Sequence, residues 1–443
     1  MSLPSITYAL FLLSIVGIFW SLAGSRLRLW LLFVASLIFY ASIQVQYLPL
    51  MLVLAGVNFY LGKTLTAPLD WRIPNENWQV AEQGWNRRRL VLLWVGIAIN
   101  GVLLLGFKYA EALLRQLGWD GLIGSPSDPT LQILMPLGIS FFCFECIAYL
   151  VDVYRGSPTA PSFVNFAAYK FFFPKLISGP ITRYHTFIDQ FQQPAPPALS
   201  TAIEGGWLIA SGAVKKLLIA DHIAILVNLS FENLERAGSA DLWLAIFAYG
   251  LQLYIDFNAY VDIARGSALL MGIVLPQNFD FPYFTTSIAD FWRRWHMTLG
   301  AWLRNYLYFP LGGSRQGLWR TCLNLMVVML IAGVWHGDNW GFLIWGGIHG
   351  LALGLHRINQ TAAKRWSSLH SFWQSWPGAL TGWAITQFVV FFSWLFFRLP
   401  DPQQYGLALQ KLWGVPSDAQ FAQKVYFESL GFTYPELSLL LGG

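Results

Sequence analysis

Apolar residues occur along this chain in long blocks rather than in alternation. Hydrophobic stretches lie at 6–20, 29–43, 48–61, 90–107, 131–151 and 163–177, and again at 207–220, 242–254, 260–275, 323–335, 342–355 and 380–397. Blocks of this length read as helices, and about 20 apolar residues are needed to cross a ~30 Å hydrocarbon core. The pattern predicts an all-α polytopic membrane protein with roughly ten to twelve embedded helices, of which the shortest are expected to be tilted, re-entrant or half-spanning. No basic residue precedes the first block and others follow at once, so it reads as a retained anchor, not a cleaved signal. The stretch 66–86 and the tail after 400 are the most polar parts, and no internal repeat is visible.

Composition supports a lipid-embedded chain. Charged residues make up 12% of the 443, about half the ~25% of soluble proteins, while 56% are hydrophobic and 17% aromatic. A single soluble core stops growing at about 250–300 residues, so the surplus apolar surface needs lipid. A disordered chain, a coiled coil and a soluble enzyme are excluded. The net charge of +5 is scattered, with Arg87 to Arg89 as the one run of three, which does not suit a nucleic-acid reader. Arg26 and Arg28 follow the first block, and Lys63, Arg72 and Arg87 to Arg89 follow the third. Both sets fall on one side if the second and third blocks cross fully, which predicts an outside N-terminus and cytoplasmic basic loops. Cys143, Cys146 and Cys322 all sit in apolar surroundings and read as small hydrophobes, not as a redox pair or a disulfide framework.

Ionisable groups inside these blocks cost about 2.5–3.5 kcal/mol each on insertion scales, so each calls for a partner or a task. Asp262 and Arg265 are three apart and predict an ion pair on one helical face, with Asp256 nearby. Glu145 and Asp152, with Tyr149 beside them, either line a polar cavity or brace two helices. In the stretch 289–313, Trp292, Trp295, Leu299, Trp302, Leu303 and Tyr306 recur at helical spacing while Arg293, Arg294 and Arg304 fill other faces. This predicts one interfacial or re-entrant amphipathic helix carrying His296. The next block holds His336, Asp338 and His349 among glycines four apart, at 333, 337 and 341 and then at 346, 350 and 354. Such rows let helices approach closely, and the first is expected to clear a channel beside His336 for a thin substrate. Each histidine is either a satisfied core residue or a catalyst. His349 is about 220° from His336 around a continuous helix and is expected to face away. There is no serine-hydrolase elbow, phosphate loop, H-E-x-x-H pair or dinucleotide fingerprint, so neither a metal nor a bound nucleotide cofactor is expected.

The motifs PLGISFFCFECIAYLVDVYRG at 136–156, FFPKLISGPITRY at 172–184 and DFNAYVDIA at 256–264 resemble the membrane-bound O-acyltransferase family. So do QNFDFPYFTTSIADFWRRWHMTLGAWLRNYLYFPLGG at 277–313 and GVWHGDNWGFLIWGGIHG at 333–350. The similarity is to the bacterial alginate O-acetylation branch and covers roughly residues 136–398. It divides the chain into N-terminal membrane helices at 1–130, an acyltransferase core at 131–398 and a tail at 399–443. The tail is expected to lack the extra C-terminal helices of longer members, which reads as a truncation. Asn258-Ala259 departs from the small residue and glycine usual there.

The resemblance implies a ring of helices around a central tunnel, with His336 as the catalytic residue and His296 as a second functional position. Asn339, Trp335, Arg293, Arg294 and Trp295 are the residues expected to bind or orient substrate. An acyl thioester such as acetyl-CoA is expected as co-substrate rather than bound cofactor. The acceptor is an extracytoplasmic polysaccharide or a periplasmic SGNH-type acyltransferase, in a bacterial inner membrane. D-alanyl transfer toward teichoic acid is the alternative within the family, and a proton-coupled transporter the alternative outside it.

Overall fold

The computed structural model describes residues 3–67, 75–119, 135–191 and 195–429. Every regular element among these residues is helical. Among the described residues, four helical stretches are long and apolar enough to cross a membrane: Ser25–Leu65, Gln79–Gln116, Gly317–His336 and Trp376–Arg398. Of the sequence-based expectations, 131–134 of one apolar block, 68–74 of the polar stretch and 430–443 of the tail lie outside the described residues. The chain forms two compact units that interleave in sequence, one from 1–210 with 260–277 and one from 211–259 with 278–443.

The first unit holds α1 (Ile6–Ser21), α2 (Ser25–Gln44), α3 (Leu48–Leu65), α4 (Asn75–Gln116), α5 (Ile139–Tyr154), α6 (Phe163–Phe171), α7 (Tyr184–Ile188) and most of α8 (Leu199–Val214). Ser5 starts α1 by accepting from Tyr8 N at 3.1 Å. Arg89 closes two helix ends, donating to the carbonyls of Leu65 at 2.9 Å and Tyr154 at 2.8 Å. In lipid, where burial gives helices little reason to associate, polar side chains join them. Asn58 of α3 and Asn100 of α4 exchange amide hydrogen bonds at 3.3 and 2.8 Å.

Glu145 of α5 receives Lys175 Nζ at 2.6 Å, Lys170 Nζ at 3.0 Å, Thr182 N at 2.9 Å and Thr182 Oγ1 at 3.0 Å, all buried. Of the two readings open for Glu145, it is the brace. The described ion pairs do not join Asp262 to Arg265. Asp262 is buried, and Arg265 Nε is buried without a hydrogen-bond partner. Three-residue spacing brings two Cβ atoms to one face without fixing where a long guanidinium points.

In the second unit lie α9 (Asp221–Glu232), the first part of α10 (Ser239–Leu270), α11 (Ile288–Arg294), α12 (Met297–Leu303), α13 (Gly317–His336), α14 (Trp340–Ala363), α15 (Ser367–Gln374), α16 (Trp376–Arg398), α17 (Pro402–Lys411) and α18 (Ala419–Ala422). The block at 242–254 and residues 260–270 of the next thus belong to one 32-residue helix. Asp256 of α10 pairs with Lys216 at 2.8 Å.

The glycine rows are filled by packing. A Cβ on Gly346 would lie 2.4 Å from Met329 O, on Gly333 2.4 Å from Phe342 O, and on Gly341 2.5 Å from Phe396 O. They let α14 lie against α13 and α16, as small residues in lipid do, and the expected channel beside His336 is occupied by backbone. The tail is tied to the turn before α10. Lys411 donates to the carbonyls of Leu234 at 2.9 Å and Ala237 at 3.2 Å, and Asp241 accepts from Gly238 N, Ser417 and Tyr426.

Candidate active site

Two breaks in helical structure build the site within the second unit. In the first, Ser287 caps α11 by accepting from Asp290 N at 3.2 Å, and Asp290 in turn receives Arg294 Nε at 3.1 Å. The helix stops at Trp295, and His296 takes φ 43° and ψ 55°. A left-handed conformation costs about 1–2 kcal/mol for a residue with a Cβ and persists where its surroundings over-determine it. Asn278 supplies that constraint. Its carbonyl accepts Met297 N at 2.9 Å, and its side-chain oxygen accepts Thr298 N at 3.0 Å and Thr298 Oγ1 at 2.7 Å. The first donors of α12 are therefore capped from outside the helix rather than by His296, the residue at the cap position. This corrects the expectation of one amphipathic helix, because the pattern is carried by two helices broken at His296. His296 is 5% exposed, and its imidazole meets Phe257 edge-on at 4.8 Å.

At the second break α13 ends on His336, and the chain passes through Gly337 to Asn339 into α14. A Cβ on Gly337 would lie 2.4 Å from the Phe342 ring, so the absent side chain lets Phe342 fold across the helix end. Phe342 stacks on His336 at 6.2 Å, and Trp335 at 4.4 Å, Phe397 at 4.7 Å and Trp345 at 5.1 Å complete an aromatic surround. His336 itself is half-buried, within an apolar wall but open on part of its surface.

His349 differs. It is 0% exposed, Trp292 Nε1 donates to its Nδ1 at 3.2 Å, and its Nε2 lies 2.9 Å from Ser393 Oγ. Ser393 commits its own proton to Val390 O at 2.7 Å. An indole N–H only donates, so Nδ1 is the acceptor, Nε2 carries the proton and the ring is neutral. His349 is a satisfied core histidine. The expectation that it faces away from His336 assumed a continuous helix, whereas the chain breaks at 337–339 and Trp345 lies 5.1 Å from both rings.

The remaining candidates fall into two groups. Trp295 is buried in a chain of rings, 5.2 Å from Phe279 and 5.0 Å from Trp394, and Trp394 stacks on Trp345 at 6.1 Å. With Phe257 at 5.2 Å from Phe279, this aromatic series runs from His296 to His336. Trp335 is part of the His336 surround. Arg294 is held by Asp290 and, at 3.4 Å, by Asp280, while Arg293 is exposed. Asn339 is exposed at the cap position of α14, with no side-chain capping bond. Trp345 Nε1 is buried with no hydrogen-bond partner among the described residues. Sequence reasoning missed Asn278, Ser393 and Phe397, since an amide, a hydroxyl and a phenyl in apolar surroundings show no pattern until the chain is folded.

A sequence profile of the membrane-bound O-acyltransferase family (MBOAT) matches residues 92–397. A probable alginate O-acetylase of Pseudomonas putida is 36% identical over 399 residues, covering 88% of this chain and 75% of that protein. The peptidoglycan O-acetyltransferase of Helicobacter pylori is 35% identical, covering 84% of this chain and 71% of its own. A teichoic acid D-alanyltransferase of Streptococcus thermophilus is 29% identical, over 51% of this chain and 57% of its own.

Proposed function

Because the chain belongs to the membrane-bound O-acyltransferase family, we propose that it moves a short acyl group, acetyl above all, from a cytoplasmic thioester such as acetyl-CoA to an extracytoplasmic hydroxyl, with His336 as general base. The observation that carries this is the contrast between histidines. Both nitrogens of His349 are engaged inside the core, whereas His336 ends a helix and keeps part of its surface open.

A hydroxyl is a poor nucleophile at neutral pH, and an imidazole is the side chain suited to accept its proton and give it back. The acceptor oxygen then bonds to the thioester carbonyl carbon, the carbon–sulfur bond breaks, and the thiolate leaves with the proton returned by the imidazolium. Trp345, 5.1 Å from the His336 ring, walls the site on its core side. His296 positions the reacting groups from its buried station, and Asn339 and Arg293 orient the acceptor at the exposed end. Trp335 and Trp295 shape the apolar wall, and Arg294 holds the end of α11.

The helices form a ring around a tunnel that joins donor and acceptor across a bacterial inner membrane, with the N-terminus outside. The acceptor is a polysaccharide or a periplasmic SGNH-type acyltransferase that passes the group on. The alginate and peptidoglycan acetylating relatives, similar over most of the chain, favour acetyl over D-alanyl, where similarity spans about half. The reading is tested with His336→Ala in native membranes and a labelled acetyl donor. Acylated product per folded enzyme is expected to fall by about 100-fold or more, with an unchanged size-exclusion profile. Near-normal turnover would refute His336 as the base.

A further inference from the structure

A cavity of about 720 Å³ in the second unit lies away from His336, between the later half of α14, α15 and the first half of α16, and takes in the start of α11. Its volume falls within the ~300–1,000 Å³ of small-molecule sites. Its shape is that of a slot. The lining runs from Ala352 to Lys364 on α14 and from Gly378 to Val389 on α16, about 18 and 16 Å at ~1.5 Å per residue. Half of a ~30 Å hydrocarbon core is ~15 Å, so the slot is one leaflet deep. Beyond its inner end the hydrogen bond from His349 to Ser393, at 2.9 Å, ties α14 to α16.

The two ends of the slot differ in chemistry. Ala352, Leu355, Ile385 and Val389 line its inner part beside the polar His356 and Thr386, while Lys364, His370 and Gln374 ring its mouth near Ala379, and no carboxylate lines it. Trp373 of α15 donates to Asn359 Oδ1 at 3.3 Å, which holds this short helix against α14. Lys364 is exposed and has no carboxylate partner among the described residues. Exposed Trp319, Trp366 and Trp376 stand at the same end of α13, α14 and α16, together with Arg315, Arg320 and Arg365. Tryptophan and arginine at one level mark the membrane–water interface.

We propose that this slot is a binding site for an anionic phospholipid, with one acyl chain lying between α14 and α16 and the phosphate held at Lys364 and His370. A tail one leaflet long with an anionic head matches the slot in length, in its mainly aliphatic inner wall and in the charge at its mouth. A compact ligand held at Lys364 would leave the aliphatic wall of Leu355, Ile385 and Val389 uncovered.

The full chain, stripped of lipid in detergent and offered equal amounts of phosphatidylglycerol and phosphatidylcholine, is examined by native mass spectrometry. Phosphatidylglycerol is expected to be retained preferentially, and a photoreactive phosphatidylglycerol to crosslink within 352–389. Lys364→Glu should lower retention by roughly fivefold or more through headgroup repulsion, and Ala379→Trp should lower it by blocking the mouth of the slot. The melting temperature of the lipid-free protein checks folding, and Lys364→Gln, a surface change, stands in for either variant that fails to fold. Equal retention of the two lipids, retention untouched by the variants, crosslinks elsewhere, or displacement of the lipid by acetyl-CoA would each overturn the proposal.

Discussion

Glu145→Ala is expected to cost the protein much of its stability while leaving the chemistry of the surviving molecules intact. The carboxylate sits between two ammonium groups, with Lys170 1% and Lys175 3% exposed, so the cluster already carries one excess positive charge. Aromatic faces soften that excess, with Lys170 Nζ 4.2 Å from the Phe142 ring centre and Lys175 Nζ 4.3 Å from that of Tyr169. Removing one member of a buried ion pair costs about 3–5 kcal/mol because the other charge is stranded. The buried Thr182 N–H loses its acceptor too, adding about 1–3 kcal/mol. Against a total stability of about 5–15 kcal/mol, that is a large share.

Glu145→Gln keeps one acceptor oxygen and should be the milder change. Lys170→Met added to Glu145→Gln removes a stranded ammonium and should restore part of the loss. The assay is thermal unfolding of detergent-purified protein, with acyl transfer normalised to the folded fraction. A parental melting temperature for Glu145→Ala, or a double variant less stable than Glu145→Gln alone, would sink the account. Parental stability joined to lost transfer would instead move Glu145 into the reaction.

Neighbouring glycines give a matched pair. Gly346→Ala should collapse the yield of folded protein, since its Cβ would meet Met329 O at 2.4 Å, while Gly347→Ala, with nothing closer than 4.0 Å, should match the parent in a side-by-side expression and melting test. His349→Ala strands the Trp292 N–H and opens a void. It should lower stability by about 2–5 kcal/mol in thermal melts, against little change for His336→Ala, and equal melting of the two variants would contradict the reading of His349 as a hydrogen-bonded core residue. Asp241→Ala leaves Gly238 N, Ser417 and Tyr426 without their acceptor, so limited proteolysis should cut the region around 411–426 faster than in the parent.

Helical class and membrane character were legible because both rest on sums over many residues, which single contacts hardly alter. Close packing at the glycine rows was legible for the same reason, as four-residue spacing repeats along one helix face. Where reasoning from the pattern failed, one local event overrode a periodic signal. Nothing in the repeat of Trp292, Trp295 and Leu299 announces that Asn278, from outside the helix, will hold the chain in a left-handed turn at His296. The brace at Glu145 was half legible. Its carboxylate stood out in an apolar block, but Lys170 and Lys175 lie 25 and 30 residues away, and only folding brings them within 3.0 and 2.6 Å. His336 and His349 looked alike in sequence, and what separates them is burial, since His349 is closed into the core against Trp292 and Ser393 while His336 keeps part of its surface open.

The backbone at His296 also changes what a substitution there means. An alanine scan assumes that alanine deletes a side chain and leaves the path of the chain unaltered. At φ 43° that reference state fails. Alanine would keep the conformational cost of the left-handed turn while losing the contact with Phe257 that helps hold it, so its phenotype mixes a missing imidazole with a relaxed loop. Glycine removes the ring and the cost together, and asparagine, which tolerates this region of conformational space, keeps the turn without an imidazole. Equal defects in the alanine, glycine and asparagine variants would trace the role of His296 to its ring. A graded series, with asparagine closest to the parent, would trace it to the bend that the ring happens to occupy.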